Sequence, residues 1–192
     1  MITWTSRGFI AALALAFLSA CEGMPAGTGA LAAKPKPQAL ARATLGKGAV
    51  TLVPPPGYCL DRSSIGDGFA LMARCDALGA PLGTAGGAPV GFITVSLMRD
   101  QGKGTLPRAV QTARALGLTG ISQETEQAGI LTYRAEGPPP APSIASSHWR
   151  ATGRVGNYLI SVAVYGPANS RTITGEGRGI ARMVIERTRA AS

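Results

Sequence analysis

Histidine and cysteine are almost missing from this chain, which has one histidine and three cysteines in 192 residues. Acidic groups are scarce too, ten Asp and Glu against nineteen Lys and Arg, and aromatics make up only 5%. With His148 alone there is no His-x-x-x-His pair, and no Asp-x-Asp-x-Asp spacing occurs, so a metal centre is not expected. Ser146 and Ser147 precede His148, but consecutive residues on a strand cannot arrange themselves as nucleophile and base, and no Gly-x-Ser-x-Gly elbow accompanies them. Gly175-Glu176-Gly177-Arg178-Gly179 has the wrong register for a dinucleotide fingerprint, and the Gly-Lys-Gly triplets at 46–48 and 102–104 lack the rest of a P-loop. No cofactor is therefore expected. Paired carboxylates are conceivable among Asp61, Asp67, Asp76, Asp100, Glu124, Glu126 and Glu136, yet most of these positions flank turns or alternate on solvated strand faces. The high charge lacks the basic–aromatic interleaving of nucleic-acid binders, so nucleic acid is excluded as a partner. The apolar run from Gly8 to Ala20 is too short for the roughly 20 residues of a membrane-spanning helix.

That same run is the most telling thing present. Arg7 precedes it and Leu18-Ser19-Ala20-Cys21 closes it, which is the basic, apolar, small-residue order of an export signal. The closing tetrapeptide resembles a bacterial lipobox. That resemblance implies cleavage before Cys21, acylation of its thiol, and a protein anchored to a membrane by lipid. On this reading residues 1–20 are a lipoprotein signal peptide and 21–48 a flexible linker rich in Ala, Gly, Pro and Lys. Residues 49–192 form one domain, long enough for its own core. Glu22 stands where an aspartate is the best-known inner-membrane retention signal, so a periplasm-facing outer-membrane address is favoured.

With Cys21 assigned to lipid, Cys59 and Cys75 remain as an even pair in an oxidising compartment. Ile65-Gly66-Asp67-Gly68 is a turn signal between them. A hairpin centred on Asp67 puts Cys59 directly opposite Cys75, near enough for a disulfide. The rival, a redox-active dithiol, lacks Cys-x-x-Cys spacing.

Apolar periodicity places strands at Ala49–Val53, Tyr58–Asp61, Phe69–Cys75, Gly91–Leu97, Ile121–Glu126, Ile130–Glu136, His148–Val155 and Tyr158–Tyr165. A helix capped by Thr105 is predicted to bury Leu106, Ala109, Val110, Ala113 and Leu116 and to end at Gly117. A second helix, about Thr174–Ala190, is predicted to bury Ile180, Met183, Val184 and the stem of Arg187. Leu159–Val164 is apolar on both faces, as in a central strand covered on both sides. The order is α+β: a mostly antiparallel sheet with a mid-chain and a C-terminal helix packed on it. This order is similar to the PsbP-like fold, whose superfamily includes several small bacterial lipoproteins. Pro56-Gly57-Tyr58-Cys59-Leu60-Asp61 with Phe69-Ala70-Leu71-Met72-Ala73-Arg74-Cys75 also resembles a group of alphaproteobacterial lipoproteins. The resemblance implies a fold and an address, and brings no catalytic residues.

One electrostatic feature remains. Arg178, Arg182 and Arg189 recur at helical spacing on the last helix, with Arg171 just before it. Guanidinium forks match phosphate and carboxylate groups, so these four are the candidate surface for an anionic partner; the plain alternative is a solvated face. Three functions follow as expectations. The first is a non-enzymatic envelope lipoprotein, held in the membrane at Cys21 and serving as a binding or accessory module for an envelope protein. The second is a substrate-capture subunit for a small anion or peptide in transport. The third is an envelope-polymer hydrolase.

Overall fold

A computed structural model describes residues 39–100 and 105–192. The signal peptide, Cys21 and most of the expected linker lie outside the described residues. The last part of that linker does not behave as a tether. Strands β1 (Ala39–Leu40) and β2 (Ala43–Leu45) are already in the fold. β1 pairs with β4 (Tyr58–Asp61), and β2 forms a two-stranded sheet with β3 (Val50–Leu52). Leu45 enters the core, and Gly46-Lys47-Gly48 make the tight turn, all three with positive φ. Asp67 holds that turn, its carbonyl accepting from the Gly46 N–H and its carboxylate from the Lys47 N–H.

Among the described residues the main sheet has eight antiparallel strands in the order β1-β4-β5-β6-β10-β9-β8-β7. Here β5 is Phe69–Arg74, β6 Phe92–Arg99, β7 Thr119–Gln127, β8 Ile130–Glu136, β9 Ser147–Val155 and β10 Tyr158–Tyr165. The β9–β10 hairpin turns at Gly156-Asn157, as the sequence predicts, and β10 sits at the centre between β6 and β9. The proline block 138–142 stays outside the sheet, where a missing N–H costs no ladder bond.

Helix α2 (Gly175–Ala191) lies across one face of the sheet. Thr174 caps it by accepting the Glu176 N–H. Its apolar stripe is Ile180, Ala181, Val184 and Ile185; the helix packs against β3, β8, β9 and β10, and the stripe shares one core with Leu60, Met72, Ile93, Val95, Ile160, Val162 and Val164. Met183, predicted to be buried, is 37% exposed because the stripe is centred on Ala181 and Ile185 instead.

Helix α1 (Ala109–Ala115) is shorter than predicted. Leu106 precedes Pro107, and a residue before proline is pushed out of the helical region, so Thr105 cannot cap and Arg108 becomes the first flanking residue. The helix turns only Ala109 and Ala113 fully inward, onto Leu131, Tyr133 and Ala135 on the other face of the sheet. Val110 and Leu116, expected in the core, are 60% and 51% exposed. The covering of that face stops short of the central strands. Leu159, Ser161 and Tyr165 of β10 are only half-buried, so the expectation of a strand covered on both sides holds for one face only.

Candidate functional site

Cys59 and Cys75 are bonded, with Cα atoms 4.8 Å apart. The register differs from the sequence expectation. A 3-10 turn at Arg62–Ser64 follows β4 at once, fixed by Ser63 donating to the Asp61 carboxylate, and it centres the hairpin on Gly66. Cys59 therefore faces Ala73 and reaches Cys75 along the diagonal, just beyond the end of β5. Cys75 keeps its place through its N–H, which donates to the Gly57 carbonyl.

The four candidate arginines do not converge on one surface. Arg189 is a clamp: its guanidinium donates to the carbonyls of Arg154, Ala128 and Gly129 at 2.7–2.8 Å, tying α2 to the β7–β8 turn. Arg171 donates to the Gly87 carbonyl and pairs with Glu176 at 3.3 Å on a different edge of the molecule. Only Arg178 and Arg182 share a groove, formed between the first turns of α2 and strands β7 and β8, with a volume of about 350 Å³. Arg182 pairs with Glu186 at 2.6 Å and donates to the Gln127 side chain. Arg178 lies over the Trp149 ring, its guanidinium carbon 5.4 Å from the centroid, with no acidic partner among the described residues.

Several groove residues were not legible as functional. Thr125, Gln127 and Thr132 come from the β7–β8 hairpin, and Gly175 and Gly179 from α2. The one available signal was that Gly175 and Gly179, like Arg178 and Arg182, stand four residues apart, which puts each pair on one helix face.

His148 is not placed for catalysis. It is 2% exposed, its Nδ1 sits 3.0 Å from the Ser146 carbonyl, and its ring stacks on Tyr165. Burial holds its pKa below the usual 6.5. Its neighbour Ser147 accepts from Arg134 at 2.6 Å and is not hydrogen-bonded to the imidazole. Tyr58 is a core residue: its hydroxyl donates to the Pro89 carbonyl, and burial pushes its pKa up to about 12. Among the described residues no three His, Cys, Asp or Glu side chains are grouped to hold a metal ion. None of the described helices is long and apolar enough to cross a membrane.

No protein-family model matches the chain, and no curated protein matches it. Among solved structures it is similar to a point mutant of Protein Mog1, at 16% identity and a TM-score of 0.45, over 77% of this chain and 91% of that one. A likeness at that level carries no functional statement.

Proposed function

We propose that this chain is a lipid-anchored envelope lipoprotein of the PsbP-like kind, held at Cys21 and facing the periplasm. Its α+β domain is a non-enzymatic binding or accessory module. The Cys59–Cys75 bond is the observation that carries this reading, because such bonds persist in oxidising compartments and the lipobox-like Leu18–Cys21 supplies the route there. Glu22 favours the outer membrane. The test is the intact mass of the protein extracted from membranes of its own host. A mass matching Cys21–Ser192 plus acyl chains, two hydrogens lighter than the dithiol form, is expected. A lipid-free product cut elsewhere, or the unprocessed chain, overturns the anchor.

A second reading, capture of a small anionic ligand, is favoured by one specific observation: two guanidinium groups share a groove of small-molecule size, and one of them lacks an acidic partner among the described residues. Binding of anions to the purified protein tests it.

A further inference from the structure

We infer that the α2/β7–β8 groove is a phosphate-binding site, with Arg178 and Arg182 as its two cationic arms. This deepens the anion-capture reading and rests on it, by naming the ligand class.

The argument begins with the two arginines. They are four residues apart on α2, so they stand one turn apart along the same wall of the groove. Trp149 holds Arg178 in place from below by a cation–π contact, and Gln127 with Glu186 holds Arg182. A planar carboxylate offers two oxygens in one plane. A phosphate group presents oxygens in several directions, so two forks set at different heights can each take their own acceptors. The opposite wall adds neutral polar groups, Thr125 and Gln127, and among the described residues no acidic one lines the groove.

Beneath Arg178, and outside the lining of the groove itself, lies Trp149. Trp149 is 1% exposed, and its indole N–H has no acceptor among the described residues. The carbon next to that nitrogen lies beside the first turn of α2, 2.8 Å from where a Gly177 Cβ would stand. The positive end of a 17-residue helix, at the groove-lining Gly175, suits an oxyanion. Gly179 lines the groove, and a Cβ added there would meet nothing within 4 Å, so a larger side chain can be placed beside the arginines without a clash.

The phosphate could belong to a lipid headgroup or to a free phosphate compound. Both are tested on the full chain carrying Trp4→Phe, in which Trp149 is the sole indole and the result does not depend on what happens at Cys21. Inorganic phosphate, glycerophosphoglycerol (a deacylated headgroup) and citrate are titrated separately at constant ionic strength. Trp149 emission and calorimetry are the readouts.

Saturable binding of either phosphate compound is expected. Arg178→Gln and Arg182→Gln should each weaken it at least tenfold, and Gly179→Met should abolish it with the melting temperature kept or raised. Arg114→Gln removes the same charge from exposed α1 and should leave affinity unchanged. Binding of glycerophosphoglycerol alone assigns the site to a lipid headgroup; binding of inorganic phosphate alone assigns it to a free phosphate source. The inference is overturned if neither binds, if Gly179→Met binds like the parent, or if Arg114→Gln weakens binding as much as Arg178→Gln. Citrate binding without phosphate binding overturns it too, while leaving the anion-capture reading standing.

Discussion

Alternate residues of the same strands build the two faces of the large sheet, yet the faces are packed in opposite ways. Toward α2, Ile160, Val162 and Val164 of β10 meet Ile93, Val95 and Leu97 of β6 under a helix long enough to reach from β3 to β8. Toward α1, a helix of seven residues covers only β7 and β8. Next to it the strands carry His148, Arg150 and Thr152, which alternate with Trp149 and Ala151 on the dry side. Arg150 reaches Ser161 at only 3.5 Å, and the His148 Nε2 has no partner among the described residues. Stability is thus concentrated on one face, while the other carries polar groups that are costly to bury. The difference shows that a two-residue alternation says which residues share a face, whereas the length of the covering helix decides which face becomes the core.

The contrast is open to mutation. The largest effect is expected from Ile160→Ala on the α2 side, a loss of about 3 kcal/mol through lost burial and the cavity left behind. Leu159→Ala, one residue along and half-buried on the other side, should cost under about 1 kcal/mol. Urea unfolding midpoints of the two variants measure the gap, and equal losses would contradict the one-sided core. Replacing both Cys59 and Cys75 by serine releases the edge hairpin and should cost roughly 3 kcal/mol in the chain-entropy account. Reducing the parent protein should give a comparable drop.

Arg189→Ala removes three carbonyl contacts that tie α2 to the β7–β8 turn, and should cost about 1–2 kcal/mol. Arg178→Ala, one arm of the groove, should stay within about 0.5 kcal/mol in thermal unfolding. Reversed magnitudes would exchange the structural and binding roles given to the two arginines.

The smallest effect concerns pH on the α1 side. His148 is buried neutral, with its folded pKa below 6.5. Between the unfolded and folded values the unfolded chain binds more protons, so stability from this residue is present above pH 6.5 and is lost as pH falls through 6.5 toward the folded value. Melting temperatures at successive pH values should show that decline, and His148→Phe should flatten it.

How legible these features were depended on the range of the interactions behind them. The β9–β10 hairpin and α2 were readable because Gly156-Asn157 and Thr174 are local signals beside strong periodicity. The disulfide was readable from cysteine arithmetic, but its diagonal register was not, because it is set across the hairpin, where the Ser64 hydroxyl takes the Leu71 N–H and β4 pairs with β5. β1 and β2 were read as linker because strands of two and three residues have no period of their own. They exist through pairing with β4 and β3. Likewise, a stripe including Val110 and Leu116 looked apolar at helical spacing, yet Pro107 shortened the helix and only Ala109 and Ala113 were turned fully inward.

The sequence by itself determined the order of elements from β3 to α2, the cysteine pair, the positive charge and the four arginines on and before the last helix. Each of these follows from composition or from neighbours within a few residues. Only the tertiary structure decided which arginines are clamps and which line a groove. The carbonyls that occupy Arg189 and the indole beneath Arg178 come from β9 and the β7–β8 turn, 29 or more residues away in the chain. No local pattern encodes which acceptors long-range strand pairing will bring to a given side chain.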